Sequence, residues 1–88
     1  MQPSIHTLKR KRRPSKCLKL RQIREERGLS QVDLCLLIAE ADLPSRLEQT
    51  HISRIETGSS PAFPLWRTDI AIALNLPEAE VFPEYFEV

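Results

Sequence analysis

This 88-residue chain predicts an all-α fold, and three observations carry the prediction. Only two glycines punctuate it, while seven prolines fall between stretches whose apolar residues recur at helical spacing. Serine-led capping signals precede three of those stretches, at Ser15, Ser30 and Ser45, and Gly28, Gly58 or Asn75 follows three. Runs of β-branched residues, the usual material of strands, are scarce. With 41% hydrophobic and 28% charged residues the composition is ordinary for a globular protein, and the length allows one small domain with a single core.

The elements follow in order. Residues 1–15 hold Pro3, Pro14 and the run Lys9-Arg10-Lys11-Arg12-Arg13, with nothing to bury, so a flexible basic arm is expected there. Helix one runs from Lys16 to Arg27, capped by Ser15 and stopped by Gly28. Leu20 and Ile23, flanked by Arg24 and Arg27, mark its inner edge. Helix two starts at Ser30, where Ser30-x-x-Asp33 is a variant capping box and Gln31 occupies the first turn. Its stripe continues through Leu34, Leu37, Ile38 and Ala41. Pro44 then halts it and pushes Leu43 out of the α region. A second box, Ser45-x-x-Glu48, opens helix three, which Gly58 closes.

An uncharged loop, Ser59-Ser60-Pro61-Ala62-Phe63, leads to helix four, with Pro64 near its first turn and Trp66, Ile70, Ala71, Ala73 and Leu74 on its stripe. Trp66 is read as core rather than as a stacking platform. After Asn75 a short helix, Pro77 to Phe82, sets Val81 and Phe82 against the core. Pro83 ends it, and residues 83–88 form an aromatic, acidic tail.

Charge is divided along the chain. Residues 1–33 hold ten Lys/Arg against three acids, and residues 34–88 hold three Arg against nine acids. A polyanion is drawn to the first part and repelled by the second. Cys17 and Cys35 are too few for a disulfide framework or a zinc site, and Cys35 is read as a small buried side chain. No apolar run approaches a membrane span, and no signal-type segment follows the basic start, so a cytoplasmic, nucleoid-associated protein is expected. His6 and His51 belong to no set of nucleophile, base and orienting group. Neither an enzyme nor a cofactor or metal site is expected.

Helix three carries the functional signal. At 100° per residue, Leu47, Glu48, His51, Ile52 and Ile55 gather on one side, and Arg46, Gln49, Thr50, Ser53 and Arg54 on the other. The second side bears amides, hydroxyls and guanidinium groups without an acid. Such groups can meet base edges in a DNA major groove, whereas an ordinary solvated face mixes Lys with Glu. The arm can lie along phosphates or in a minor groove through Lys9, Arg10, Lys11, Arg12 and Arg13; a solubilising tail or a nuclear-import signal are the other readings.

Three blocks in sequence, L-R-Q-I-R-E-E-R-G-L-S-Q-V-D-L-C at 20–35, H-I-S-R-I-E-T-G at 51–58 and P-L-W-R-T-D-I-A-I-A-L-N-L at 64–76, resemble the helix-turn-helix family of phage repressors and Cro proteins. The resemblance covers residues 16–82. It implies a lambda-repressor-like five-helix bundle whose helices two and three read DNA, with Gln49, Thr50, Ser53 and Arg54 toward bases. It also implies that Gln31 touches phosphate while bracing the first base-contacting side chain, and that Arg24 and Glu56 form a structural ion pair.

Two departures bear on that reading. The interval from Gln31 to Glu56 is longer than the family's, with A-E-A-D-L-P-S-R in place of a tight turn. The expectation is that helix two gains about one turn and helix three starts one turn early, at Ser45, making Arg46 an added contact. The loop after helix three lacks the family's basic residues, so Ser30, Ser59 and Ser60, with nearby backbone N–H groups, are the further candidates for phosphate.

Double-stranded DNA is therefore the expected partner, bound by a homodimer acting as a repressor of transcription. The tail, with Val81, Phe82, Tyr85 and Phe86, either forms a self-complementary contact or caps its own core. The competing reading is a protein-interaction module on the same fold, such as an antitoxin covering a toxin or another regulator.

Overall fold

A computed structural model of the protein describes residues 16–86. Among these the chain forms six helices and no strand: α1 (Leu18–Glu26), α2 (Gln31–Glu40), α3 (Gln49–Thr57), α4 (Pro64–Leu74), α5 (Glu78–Val81) and α6 (Pro83–Phe86). The basic arm and the Ser15 cap lie outside the described residues.

Four helices end in the same way. Gly28, Asp42, Gly58 and Asn75 all take left-handed backbone, at φ 71°, 54°, 82° and 59°. The amide of the residue after each one donates back to the carbonyl five residues earlier: Leu29 to Arg24, Leu43 to Ile38, Ser59 to Arg54 and Leu76 to Ala71, at 2.9–3.2 Å. This geometry satisfies carbonyls that a helix end otherwise strands, and it commonly brings an apolar side chain back onto the helix. Leu29, Leu43 and Leu76 do so here, each packing against the core. The same motif therefore stops the helices and reverses the chain.

The helices enclose one core. Leu20 and Ile23 come from α1, Leu34 and Ile38 from α2, Ile52 and Ile55 from α3, and Ile70, Ala71 and Leu74 from α4. Val81, Phe82, Cys17, Leu47 and Ala62 complete it. α2 packs on α3 and α4, while α1 packs on α3 and α5. No helix among the described residues is long and apolar enough to cross a membrane.

The connection before α3 departs from expectation. Neither neighbouring helix lengthens into it: α2 stops at Glu40, α3 starts at Gln49, and residues 41–48 form a loop. The Ser45-x-x-Glu48 box does not form, because the Ser45 amide donates instead to Asp69 of α4 at 2.8 Å. Arg46 then adopts φ 50° and Leu47 turns inward to 4% exposure, a path incompatible with helix. The true N-cap is Glu48. Ala41 is an exposed C-cap rather than part of the stripe, Cys35, Trp66 and Ala73 are half-buried against the core, and Leu37 is half-buried. Cys17, in contrast, is the fully buried cysteine, and burial pushes its thiol pKa up to about 12.

Pro83 does not leave a loose tail. It opens α6, which folds back over the bundle. The Tyr85 hydroxyl accepts the Ala62 amide at 2.8 Å, and the Glu84 carboxylate accepts the Lys19 amide at 3.4 Å. Glu84 thus serves the start of α1 from the far end of the chain. Arg67 fastens the same corner, donating to Glu78 at 2.8 Å and to the Ala62 carbonyl at 2.6 Å beneath the Tyr85 ring.

Both glycine stops resist substitution, but unequally. A left-handed alanine costs about 1 kcal/mol at either site. At Gly58 the added Cβ would also meet Lys16 Cγ at 3.2 Å and its backbone N at 3.3 Å, whereas at Gly28 it meets nothing within 4 Å. Urea unfolding should place Gly58→Ala below Gly28→Ala in stability, and equal midpoints would contradict the packing described.

Candidate nucleic-acid interface

α3 is held from behind by two isoleucines and from its start by a histidine. Ile52 and Ile55 are fully buried. The Glu48 amide donates to His51 Nδ1 at 3.0 Å, so the ring satisfies one of the donors stranded at the helix start. The same ring leans on Trp66 at 5.3 Å, and Trp66 meets Phe63 edge-on at 4.8 Å. Trp66 thus braces the entry to α3, a role its place on the α4 stripe does not reveal.

With that side committed, the opposite side is left open. Gln49, Thr50 and Arg54 are exposed and Ser53 is half-buried. Arg46 does not join them on the helix; it is exposed in the loop before it. Glu48 is exposed beside Gln49, so the acid-free surface begins one residue after the N-cap.

A line of hydrogen bonds runs from the interior to this surface. Arg24 Nε and Nη2 donate to Glu56 Oε2 and Oε1 at 2.8 and 3.0 Å, and Nη1 donates to the Leu29 carbonyl at 2.8 Å. The two side chains are only 9% and 3% exposed, and the Glu56 bond raises the Arg24 pKa further. Glu56 Oε1 also accepts from Gln31 Nε2 at 3.1 Å, and Gln31 Oε1 accepts from Gln49 Nε2 at 2.9 Å. Gln49 is thereby oriented: among the described residues its Oε1 and second Nε2 hydrogen have no partner at the exposed start of α3.

The remaining polar positions divide. Ser30 and Asp33 form the reciprocal box, the Asp33 amide donating to Ser30 Oγ at 3.0 Å and the Ser30 amide to Asp33 Oδ2 at 2.8 Å. The Ser30 amide holds the Asp33 carboxyl below its ordinary value. The Gln31 and Val32 amides, in the first turn of α2, have no place in the helical ladder. Ser59 and Ser60 do not offer the backbone donors expected of them, because both amides donate to the Arg54 carbonyl, at 2.9 and 3.2 Å, where Gly58 turns the chain. The Ser60 hydroxyl donates to the Pro61 carbonyl; that of Ser59 pairs with Thr57 and remains exposed.

Electrostatically this surface is poorer in cations than the whole chain. Residues 16–86 hold eight Lys/Arg against eleven Asp/Glu. Arg21, Arg24 and Arg67 are engaged with Glu25, Glu56 and Glu78, whereas Arg46 and Arg54 make no ion pair among the described residues. The densest positive charge, Lys9 to Arg13, lies outside the described residues. No group of three or more His, Cys, Asp or Glu among the described residues could hold a metal ion.

Sequence reasoning missed His51 as a cap and Asp69 as the anchor of the loop. In the sequence Asp69 is only an acid directly before Ile70 and Ala71; the structure buries it to 2% exposure. Comparison of the chain with family models, curated proteins and solved structures finds no match.

Removing Arg24 alone strands a buried carboxylate. Arg24→Ala should cost about 3–5 kcal/mol, and pairing Arg24→Met with Glu56→Leu should recover much of it. In the double variant the Gln49 side-chain amide resonances should also lose their distinct shifts, because Gln31 has lost its anchor; unchanged shifts would break the proposed line. The Ser30–Asp33 box has the sign of a depressed carboxyl: its contribution is present at neutral pH and is lost as pH falls through the folded-state value, below 3.8. The protection factors of the Ser30 and Asp33 amides, taken relative to intrinsic exchange at each pH, should fall on acidification while that of Ile38 is kept.

Proposed function

We propose that this protein is a sequence-specific, double-stranded DNA-binding regulator of transcription, most simply a repressor, with α2 and α3 as a helix-turn-helix reading pair like that of phage repressors and Cro proteins. The observation that carries the reading is the oriented Gln49. A glutamine whose amide is braced by Gln31 and Glu56 offers one acceptor and one donor side by side, the arrangement that pairs with N6 and N7 of adenine. Arg54 suits the two acceptors of guanine, the Thr50 methyl suits thymine, and Ser53 accepts or donates beside them. The first turn of α2, with Gln31, Ser30 and the amides around them, suits a phosphate oxygen, and Arg46 adds a cation at the entry to α3.

The acidic balance of residues 16–86 assigns most of the phosphate attraction to Lys9, Arg10, Lys11, Arg12 and Arg13. A single module of this size buries little DNA, which favours a homodimer on a two-fold site. The same acidic balance, with Leu36, Leu65 and Ile72 each about half exposed, favours a second reading as a partner-covering module such as an antitoxin.

Footprinting on the DNA adjoining its own gene tests the first reading. Gln49→Ala should relax preference at one base pair in each half-site, costing about 1–3 kcal/mol on the best site. Neutralising Lys9 to Arg13 should weaken binding to every sequence and flatten its salt dependence. A chain that protects no site even at low salt, yet co-purifies at high salt with a protein encoded beside it, would transfer the assignment to the second reading.

A further inference from the structure

The loop between α2 and α3 borders an open recess of about 330 Å³, lined by Cys35, Ala39, Asp42, Leu43, Arg46 and Leu47. That volume falls within the range of sites for small molecules, roughly 300–1,000 Å³. Leu47 is buried and Leu43 half-buried, and both pack with the core, so one part of the wall is fixed and apolar while the larger part of the lining is polar. Burial pushes the Cys35 thiol pKa upward and Glu48 adds to the effect, so the sulfur remains protonated and acts as wall rather than nucleophile.

The charged lining is unusual in three respects. Asp42 and Arg46 are exposed, of opposite sign, and without an ion pair or side-chain hydrogen bond among the described residues. Both hold left-handed backbone, at φ 54° and 50°, a conformation that costs an arginine about 1–2 kcal/mol. It is nevertheless enforced from both sides. The Ser45 amide is tied to the buried Asp69, and Leu47 is drawn into the core. Two unlike charges thus border one recess, and the backbone that carries Arg46 is anchored on both sides.

We infer that this recess binds a small zwitterion with an apolar body, the chemistry of a free α-amino acid with an aliphatic side chain. Its carboxylate pairs with Arg46, its ammonium group with Asp42, and its hydrocarbon portion lies against Leu43, Leu47, Ala39 and Cys35. A carboxylate or an amine of the same shape satisfies one charge and leaves the other unpaired, so both bind more weakly than the zwitterion. The site does not rest on the DNA-binding reading, although the two share Arg46.

The test is a titration of the full-length, ¹⁵N-labelled protein, without DNA, with L-leucine, 4-methylpentanoate, 3-methylbutylamine and L-serine. Leucine should give saturable shifts centred on residues 35, 39, 42, 43, 46 and 47. The carboxylate, the amine and serine should each bind about tenfold more weakly. Arg46→Gln should lower leucine to the affinity of the amine, and Asp42→Asn to that of the carboxylate. Both positions are exposed, and circular dichroism checks that the helices persist in the variants. No saturable shift from leucine up to about 20 mM, shifts centred elsewhere, equal affinity for leucine and its one-charge analogues, or variants that bind like the parent would each overturn the proposal.

Discussion

Arg24 enters the interior with its charge intact, and Glu56 meets it there with two parallel hydrogen bonds. Burying either group alone would cost several kcal/mol, so every conformation that keeps Arg24 inside must also bring the end of α3 to α1. Such a pair adds little net stability over an apolar replacement. What it adds is uniqueness of position. The third guanidinium nitrogen takes the Leu29 carbonyl in the turn between α1 and α2, so three elements are referenced to one cation. Glu56 still has acceptor capacity, and Gln31 and then Gln49 use it in series. An exposed amide on α3 is consequently located by a charge that solvent hardly reaches.

The proposed division of labour in DNA binding follows from where charge is available. Three of the eight basic residues between 16 and 86 are already engaged by carboxylates, and acids outnumber them all. On the proposed reading, such a surface would discriminate between bases but gain little from phosphates. Affinity and selectivity would then rest on separate parts of the chain, the first on the basic arm and the second on α3.

Local signals were legible and distant ones were not. Gly28, Gly58 and Asn75 announced their helix ends because few other residues accept left-handed backbone. Asp42 does the same work but was hidden behind Pro44, which looks like a sufficient stop. The Ser30 box formed as written, whereas the Ser45 box, equally good in its four letters, lost its amide to Asp69, 24 residues away. No periodicity encodes such a competitor. The face of α3 was readable from spacing alone, since Ile52 and Ile55 dictate which side is covered. The partnership of Arg24 with Glu56, 32 positions apart, came only through resemblance, and the return of Tyr85 to Ala62 left no trace in the sequence pattern.

The closure made by α6 sets a constraint on synthesis. Lys19 finds its acceptor in Glu84, 65 residues downstream, and Ala62 waits for the Tyr85 hydroxyl. A ribosome delivers residues 16–82 before either partner exists outside the exit tunnel. During that interval the nascent bundle has its first helix unsealed and Phe82 without its edge-on neighbour. The native arrangement therefore closes only once residues 84 and 85 have emerged, and until then the chain passes through an open form that chaperones and proteases can see.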